Sequence, residues 1–252
     1  MSANKYYEEI SEVLAKIHTT QQKQLEKAGE AMANAIAAGN RVYLFGSGHS
    51  VIPVMDIFPR YGSFVGFFPL YDPRLMWSNV VGPGGARELL WLERKEGYIE
   101  VFLQSYPLRP GDVMLVFSHG GMNAAPIEAA QYAKKKGLTV VTVSSLANAK
   151  VANSTHSTGQ KLSDVADIAI DNCVPPEDAL VDIGRPENVA AGSTMAVVFV
   201  AMSLVAETGA RLAAKGHKLV TFVSPNVPGI EKDHNFKVFD IFTQALFSRS
   251  PE

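Results

Sequence analysis

The chain has 252 residues, 47% of them hydrophobic and 19% charged, with a formal net charge of −2. That is the make-up of a water-soluble globular chain able to bury a sizeable core. Twenty-three basic against twenty-five acidic residues supply no positive field for a phosphate backbone, so nucleic acid is disfavoured as the main partner and a small ligand is favoured.

The first residues, MSANKYYEEI, carry charge from the start and lack the apolar run of a secretory signal. From Asn4 to Ala38 the residues Ile10, Val13, Leu14, Ile17, Leu25, Ala28, Met32 and Ile36 recur at helical spacing, predicting one long amphipathic helix closed by Gly39 and Asn40. Arg41 to Phe45 is a buried strand that breaks into Gly46-Ser47-Gly48-His49-Ser50, the form of a tight turn before a helix. Ser63 to Phe68 reads as a second strand. Gly82 to Gly85 (GPGG) then starts a helix expected to run through Glu88, Trp91 and Glu93 to about Leu103. The strand design returns in Asp112 to Phe117, which breaks into Ser118-His119-Gly120-Gly121-Met122-Asn123. A helix from Pro126 to Lys136 follows, then strands over Leu138 to Val143, ending in Ser144-Ser145, and over Asp167 to Ile170. The single cysteine, Cys173, has no partner for a disulfide and no zinc-ligand spacing; it reads as a small buried residue in a reducing, cytoplasmic setting. Val189 to Ala206 has the length of a membrane span, yet Gly192, Ser193, Thr194 and Ser203 and the bounding Glu187 and Glu207 make it a core helix, with no membrane involved.

Strands alternating with helices, each a continuous apolar run, call for an α/β fold with a doubly wound parallel sheet covered on both faces. The expected layout is one domain over residues 1–252, with the N-terminal helix at 1–39, the sheet core at 40–185 and C-terminal helices at 186–252. The long N-terminal helix and the apolar stretch near Val197 to Leu204 offer more apolar surface than a small sheet covers, which predicts a homodimer or a dimer of dimers.

Ligands of such sheets sit at the carboxyl ends of the strands. Three strand ends carry glycines and short hydroxyls: Ser47 with Ser50, Ser118 with Asn123, and Ser144 with Ser145. Glycine lets main-chain N–H groups approach an anion and serine adds neutral donors, which together make a cradle for a phosphate and sugar hydroxyls. The P-loop pattern GxxxxGK[ST] is absent, and Val51 stands where the dinucleotide fingerprint needs its third glycine, so neither nucleotide hydrolysis nor NAD is expected and no cofactor is implied.

The runs RVYLFGSGHS, DVMLVF with PIEAAQYAKKKG, and LTVVTVSS resemble the sugar isomerase (SIS) domain family, as do LERKEGYIEVFL, STHSTGQKLSDVADIAIDN and SPNVPG over nearly the rest of the chain. The likeness is strongest to a bacterial subfamily whose members are labelled as candidate phosphoheptose isomerases or sugar isomerase domain-containing proteins. It implies a five-stranded parallel sheet flanked by helices, usually dimeric, with a sugar phosphate held by serine-rich loops. By position the resemblance assigns binding to Gly46, Ser47, Gly48, His49 and Ser50 in the first loop and to Ser118, Gly120, Gly121 and Asn123 in the second. The family's second loop reads Ser-x-Ser-Gly-x-Ser/Thr; here Gly120 replaces the second serine and Asn123 the last hydroxyl residue. The resemblance also matches Glu93 to the glutamate base of SIS isomerases and of N-acetylmuramic acid 6-phosphate etherases. A carboxylate tuned toward neutral pH can move a proton between C1 and C2 through an enediol, and Glu96, three residues on along the expected helix, would raise one of the two pKa values. His156, in the polar segment STHSTGQ, is the second acid/base candidate, and Ser193 with Thr194 match a hydroxyl pair that some SIS domains point into the pocket. His49, His119 and His156 lack metal-ligand spacing, so no metal is expected. The expected activity is aldose–ketose isomerisation of a sugar phosphate. Elimination or deamination of an amino-sugar phosphate, and phosphosugar sensing without catalysis, remain the alternatives.

Overall fold

The computed structural model describes residues 2–76 and 85–250. Two helices, α1 (Ser2–Thr20) and α2 (Gln22–Ala37), stand where a single one is expected. The break has a local cause. The hydroxyls of Thr19 and Thr20 donate back to the carbonyls of Ala15 and Lys16, which competes with the helical ladder. Gln21 is then drawn sideways, its Oε1 accepting the Asp171 N–H at 3.0 Å.

Strand β1 (Val42–Gly46) leads into α3 (Val51–Ile57), and β2 (Phe67–Pro69) follows. The second strand is shorter than expected because residues 63–65 turn away from β1. Phe222 N–H bonds to the Ser63 carbonyl and Val65 N–H to that of Val220, so this segment runs along a different neighbour until Val42 pairs with Phe67. Of the GPGG turn, Gly82, Pro83 and Gly84 lie outside the described residues. The helix after it is two helices, α4 (Gly85–Leu92) and α5 (Tyr98–Leu103), separated at Gly97, whose φ of +82° suits glycine. Next come β3 (Val113–Phe117), α6 (Ala124–Lys135), β4 (Thr139–Ser144), α7 (Leu146–Val151), α8 (Leu162–Val165) and β5 (Ile168–Asp171).

All five strands are parallel, in the order β2-β1-β3-β4-β5. Successive side chains alternate between the faces, so Val42, Leu44, Val113, Leu115 and Phe117 join the layer of α1, α2 and α3. Tyr43, Phe45, Met114 and Val116 join that of α4, α5, α6 and α8. This is why each strand reads as an unbroken apolar run.

After β5 comes an antiparallel pair that the sequence did not announce, β6 (Ala179–Val181) with β7 (Val189–Ala191), then α9 (Ser193–Ala214) and α10 (His234–Phe247). Helix α9 is long and apolar enough to cross a membrane by length and composition alone. It packs on α1, α2 and α3, with Ala196, Val197, Val200, Ala201 and Leu204 buried within the chain. The apolar surface expected near Val197 to Leu204 for subunit contact is therefore spent internally. Cys173 is buried, and burial pushes its thiol pKa up.

The amino end of the sheet is closed by charge. Asp112, fully buried, accepts the main-chain N–H groups of Arg41 and Arg109 and two bonds from Arg249, at 2.9 and 3.0 Å. Arg249 also reaches the Gly39 carbonyl, tying the C-terminal segment to the α2–β1 turn. Removing one partner of a buried pair strands the other charge. We expect Arg249→Met to lose about 3–5 kcal/mol in urea unfolding; a loss under about 1 kcal/mol, the worth of a surface pair, would contradict this reading.

Candidate functional site

Connections from β1 and β3 leave the sheet in opposite directions, β1 toward β2 and β3 toward β4. The crevice between their carboxyl ends is the switch point where ligands of such sheets bind. Two of the three predicted loops flank it: residues 46–50 after β1 and residues 118–123 after β3. The first loop is tight because Gly46 has no Cβ; one there would overlap the Ser50 carbonyl oxygen. Gly48, at φ +60°, donates its N–H to the Leu75 carbonyl at 2.8 Å, which anchors the loop to the chain beyond β2.

Glu93 stands at this crevice, just past the end of α4. Its residue is 8% exposed. The Ser47 hydroxyl donates to its Oε2 at 3.2 Å and the Asn123 amide to its Oε1 at 2.8 Å, so each flanking loop supplies one donor. Its own carbonyl accepts the Ala125 N–H at 2.9 Å, which satisfies one of the open donors of the α6 N-terminus. Burial pushes the Glu93 carboxyl above its ordinary value, opposed by the Ser47 hydrogen bond and the charge of Arg94. A partly desolvated carboxylate with a raised pKa has the properties of a general base working near neutral pH.

The remaining expected residues divide. Glu96 is not on a helical face with Glu93, because α4 ends at Leu92 and both lie in the turn before α5. It is exposed and accepts the Ser157 N–H at 2.7 Å and hydroxyl at 2.6 Å, which hold its carboxyl below the usual range. The expected coupling of the two carboxylates is thus replaced by two independent environments. His156 is buried; its Nδ1 accepts the Thr158 N–H, and its Nε2 lies 3.9 Å from Glu96 and 3.8 Å from Glu128. It meets the Glu93 cluster at one remove, since the adjoining Thr155 hydroxyl contacts the Asn123 amide oxygen at 3.4 Å. Glu128, which the sequence reading passed over, caps α5 by accepting the Gly97 and Ile99 N–H groups.

Ser118 accepts the Gly121 N–H at 3.1 Å and so shapes its own loop. Gly120 offers its carbonyl to Asn148. The third loop is a correction. Ser145 is fully buried and committed to the fold, donating to the Val174 carbonyl at 2.7 Å and capping α7 through the Asn148 N–H, and Ser144 beside it is 2% exposed. Ser193 donates to Asp178 at 2.8 Å at the start of α9, so this hydroxyl is not brought to Glu93. Thr194 beside it is half-buried, and His49 is exposed. His119 turns toward β5, its Nδ1 3.2 Å from the buried Asn172 amide. Among the described residues no three metal-binding side chains come together.

With this geometry in place, comparison with known proteins is decisive for the family. The SIS domain profile matches residues 5–145. The chain belongs to the SIS domain family. Relatives span the whole length: a UPF0309 protein of Oceanobacillus iheyensis is 35% identical over 96% of this chain and 96% of its own, and one of Caldanaerobacter subterraneus is 32% identical over 96% and 97%. Among solved structures, phosphoheptose isomerases from Neisseria gonorrhoeae and Francisella tularensis superpose with TM-scores of 0.55 and 0.54. They are 13% and 14% identical, over 81% and 82% of this chain and 95% and 96% of theirs. That likeness shows the five-stranded SIS fold.

In this SIS domain the raised carboxyl of Glu93 has a thermodynamic signature. A carboxyl whose folded pKa lies above its unfolded value adds stability that is full below the unfolded value and lost as pH rises through the folded one. Glu93→Gln keeps the hydrogen-bonding outline and removes that loss. We expect its melting temperature to gain on the native chain's as pH rises from about 4 to about 8, read by thermal unfolding in parallel buffers. A native advantage that widens with pH would contradict a desolvated carboxylate.

Proposed function

We propose that the chain is a phosphosugar isomerase of the cytoplasm, acting through an enediol, with Glu93 as the base. The observation that carries this reading is the placement of a desolvated carboxylate at the switch point, held by one donor from each loop. A base in this position takes the C2 proton of an aldose phosphate while the C1 carbonyl oxygen gains a proton, giving the enediol. Return of the carbon-bound proton to C1, with loss of the O2 proton, gives the ketose. Glu93 is held on both oxygens, so its orientation needs no reorganisation as the proton moves. The phosphate is assigned to the two flanking loops, where Ser50 and the main chain of 118–123 supply donors, while the single Ser47 proton is given either to the base or, when a ligand is bound, to the ligand. His156 is assigned the proton passing between the two oxygens, with Glu96 fixing the segment that carries it.

The test is NMR of a panel of C5 to C7 sugar phosphates in deuterated water. We expect deuterium at C2 with the native chain, loss of exchange by about 100- to 10,000-fold in Glu93→Gln, and retained binding of the sugar phosphate by that variant. Binding by the native chain without exchange on any of the panel would turn the reading to a phosphosugar sensor. Exchange undiminished in Glu93→Gln and abolished in His156→Ala would move the base to His156.

A further inference from the structure

Helix α4 has two faces, and the crevice uses one. Leu89 and Leu92 are buried, and Glu93 turns inward just beyond them. The opposite face carries exposed Arg87 with Leu90 and Trp91, which are 45% and 62% exposed. After Leu92 the chain tightens: the Arg94 N–H bonds to the Trp91 carbonyl at 3.2 Å and the Lys95 N–H to that of Leu92 at 3.0 Å. Bonds between residues three apart wind the chain more closely than the helix does, and they bring both cations round beside the indole. Arg87, Leu90, Trp91, Arg94 and Lys95 line a groove of about 430 Å³. That size lies within the roughly 300–1,000 Å³ of small-ligand sites.

The charge of the groove is of one sign. Among the described residues none of its three cations is in an ion pair. Of the acids nearby in sequence, Glu88 acts on Arg74, Glu93 is bonded across the crevice by Ser47 and Asn123, and Glu96 is held by Ser157. The charge left over calls for an anion.

The rest of the lining narrows the choice. Every polar side-chain group in the groove is a donor: two guanidiniums, an ammonium and the indole N–H. Sugar hydroxyls need acceptors as well, and no side chain here supplies one. Phosphate oxygens at neutral pH only accept. The indole adds a flat face on which a nucleobase stacks without hydrogen bonds of its own, and a guanidinium lies well against either ring. A protein partner is disfavoured by size, since a stable interface takes about 20–30 residues a side and five line this groove.

We propose that the outer face of α4 is a binding site for a nucleoside phosphate, with the base stacked on Trp91, the phosphate held by Arg94 and Lys95, and Arg87 closing the other end. The site lies back to back with the crevice and stands independently of the chemistry assigned to Glu93. Isothermal titration calorimetry with AMP tests it. The native chain should bind AMP, less tightly as salt rises, and should bind adenosine and inorganic phosphate each more weakly than AMP. Trp91→Ala should weaken AMP binding by about 5- to 150-fold, the worth of one base stacked on an aromatic ring, and Arg94→Glu/Lys95→Glu should abolish it. These side chains are mostly in water, so circular dichroism should be unchanged, and the comparison of ligands needs only the native chain. Ser47→Ala/Ser50→Ala should leave AMP binding as it is. A native chain that does not bind AMP overturns the proposal, as does adenosine or inorganic phosphate binding as tightly as AMP. AMP binding that survives either groove variant overturns it too, and loss in Ser47→Ala/Ser50→Ala would place the nucleotide in the crevice instead.

Discussion

A carboxylate taken out of water demands donors, and the chain meets that demand at Glu93 from two strands at once. Ser47 follows β1 and Asn123 follows β3, so the carboxylate bridges the crevice at the switch point. Much of the surrounding architecture serves that bridge. The helical segment has to end at Leu92 for the Glu93 side chain to turn inward and for its carbonyl to meet Ala125. The chain then restarts as α5, with Glu128 taking over the capping of the new helix. Asn123, at the cap position of α6, makes no side-chain cap: its amide nitrogen donates to Glu93 and its oxygen lies against the Thr155 hydroxyl. The Glu93 carbonyl supplies part of what that cap would have done.

The hydroxyls of the loops are distributed between folding and ligand. Ser118, Ser145 and Ser193 each close a loop or a helix start: Ser118 accepts, Ser193 donates and Ser145 does both within the chain. Asp178 goes further, adopting φ +64° to accept the Gly192 and Ser193 N–H groups; a left-handed aspartate costs about 1–2 kcal/mol, which these bonds offset. A hydroxyl in a strand-end loop is therefore an ambiguous sign. It marks a ligand donor only where the main chain around it has been satisfied by other means.

The parallel sheet was legible because its strands are fully buried, and full burial writes itself as apolar runs such as VYLF and VMLVF. Turns with glycine were legible for a similar reason, since Gly46 and Gly48 answer to local sterics. The two broken helices were not. Apolar periodicity continues across Gln21 and across Arg94 to Gly97, while each break is held by contacts that periodicity does not show: the back-bonded hydroxyls of Thr19 and Thr20 with the distant Asp171 N–H in one case, Glu128 in the other. Glu93 was found by its likeness to a family motif, but its burial and its two donors come from tertiary placement. The separation of Glu93 from Glu96 could not be read from a spacing of three residues that matched one helical face.

The break at Gln21 has a further effect on the edge of the sheet. Just past β5, Asn172 N–H bonds inward to the Ser144 carbonyl, so the alternate Asp171 N–H faces the open side, and Gln21 occupies it. An unpaired edge strand is a template on which another chain can add a strand. Here a side-chain amide stands in for that missing neighbour at one point, and the flanking Asp167 and Asp171 add charge at both ends of a four-residue strand. The irregularity that spoils an otherwise continuous helix therefore also guards the chain against self-templated aggregation along β5.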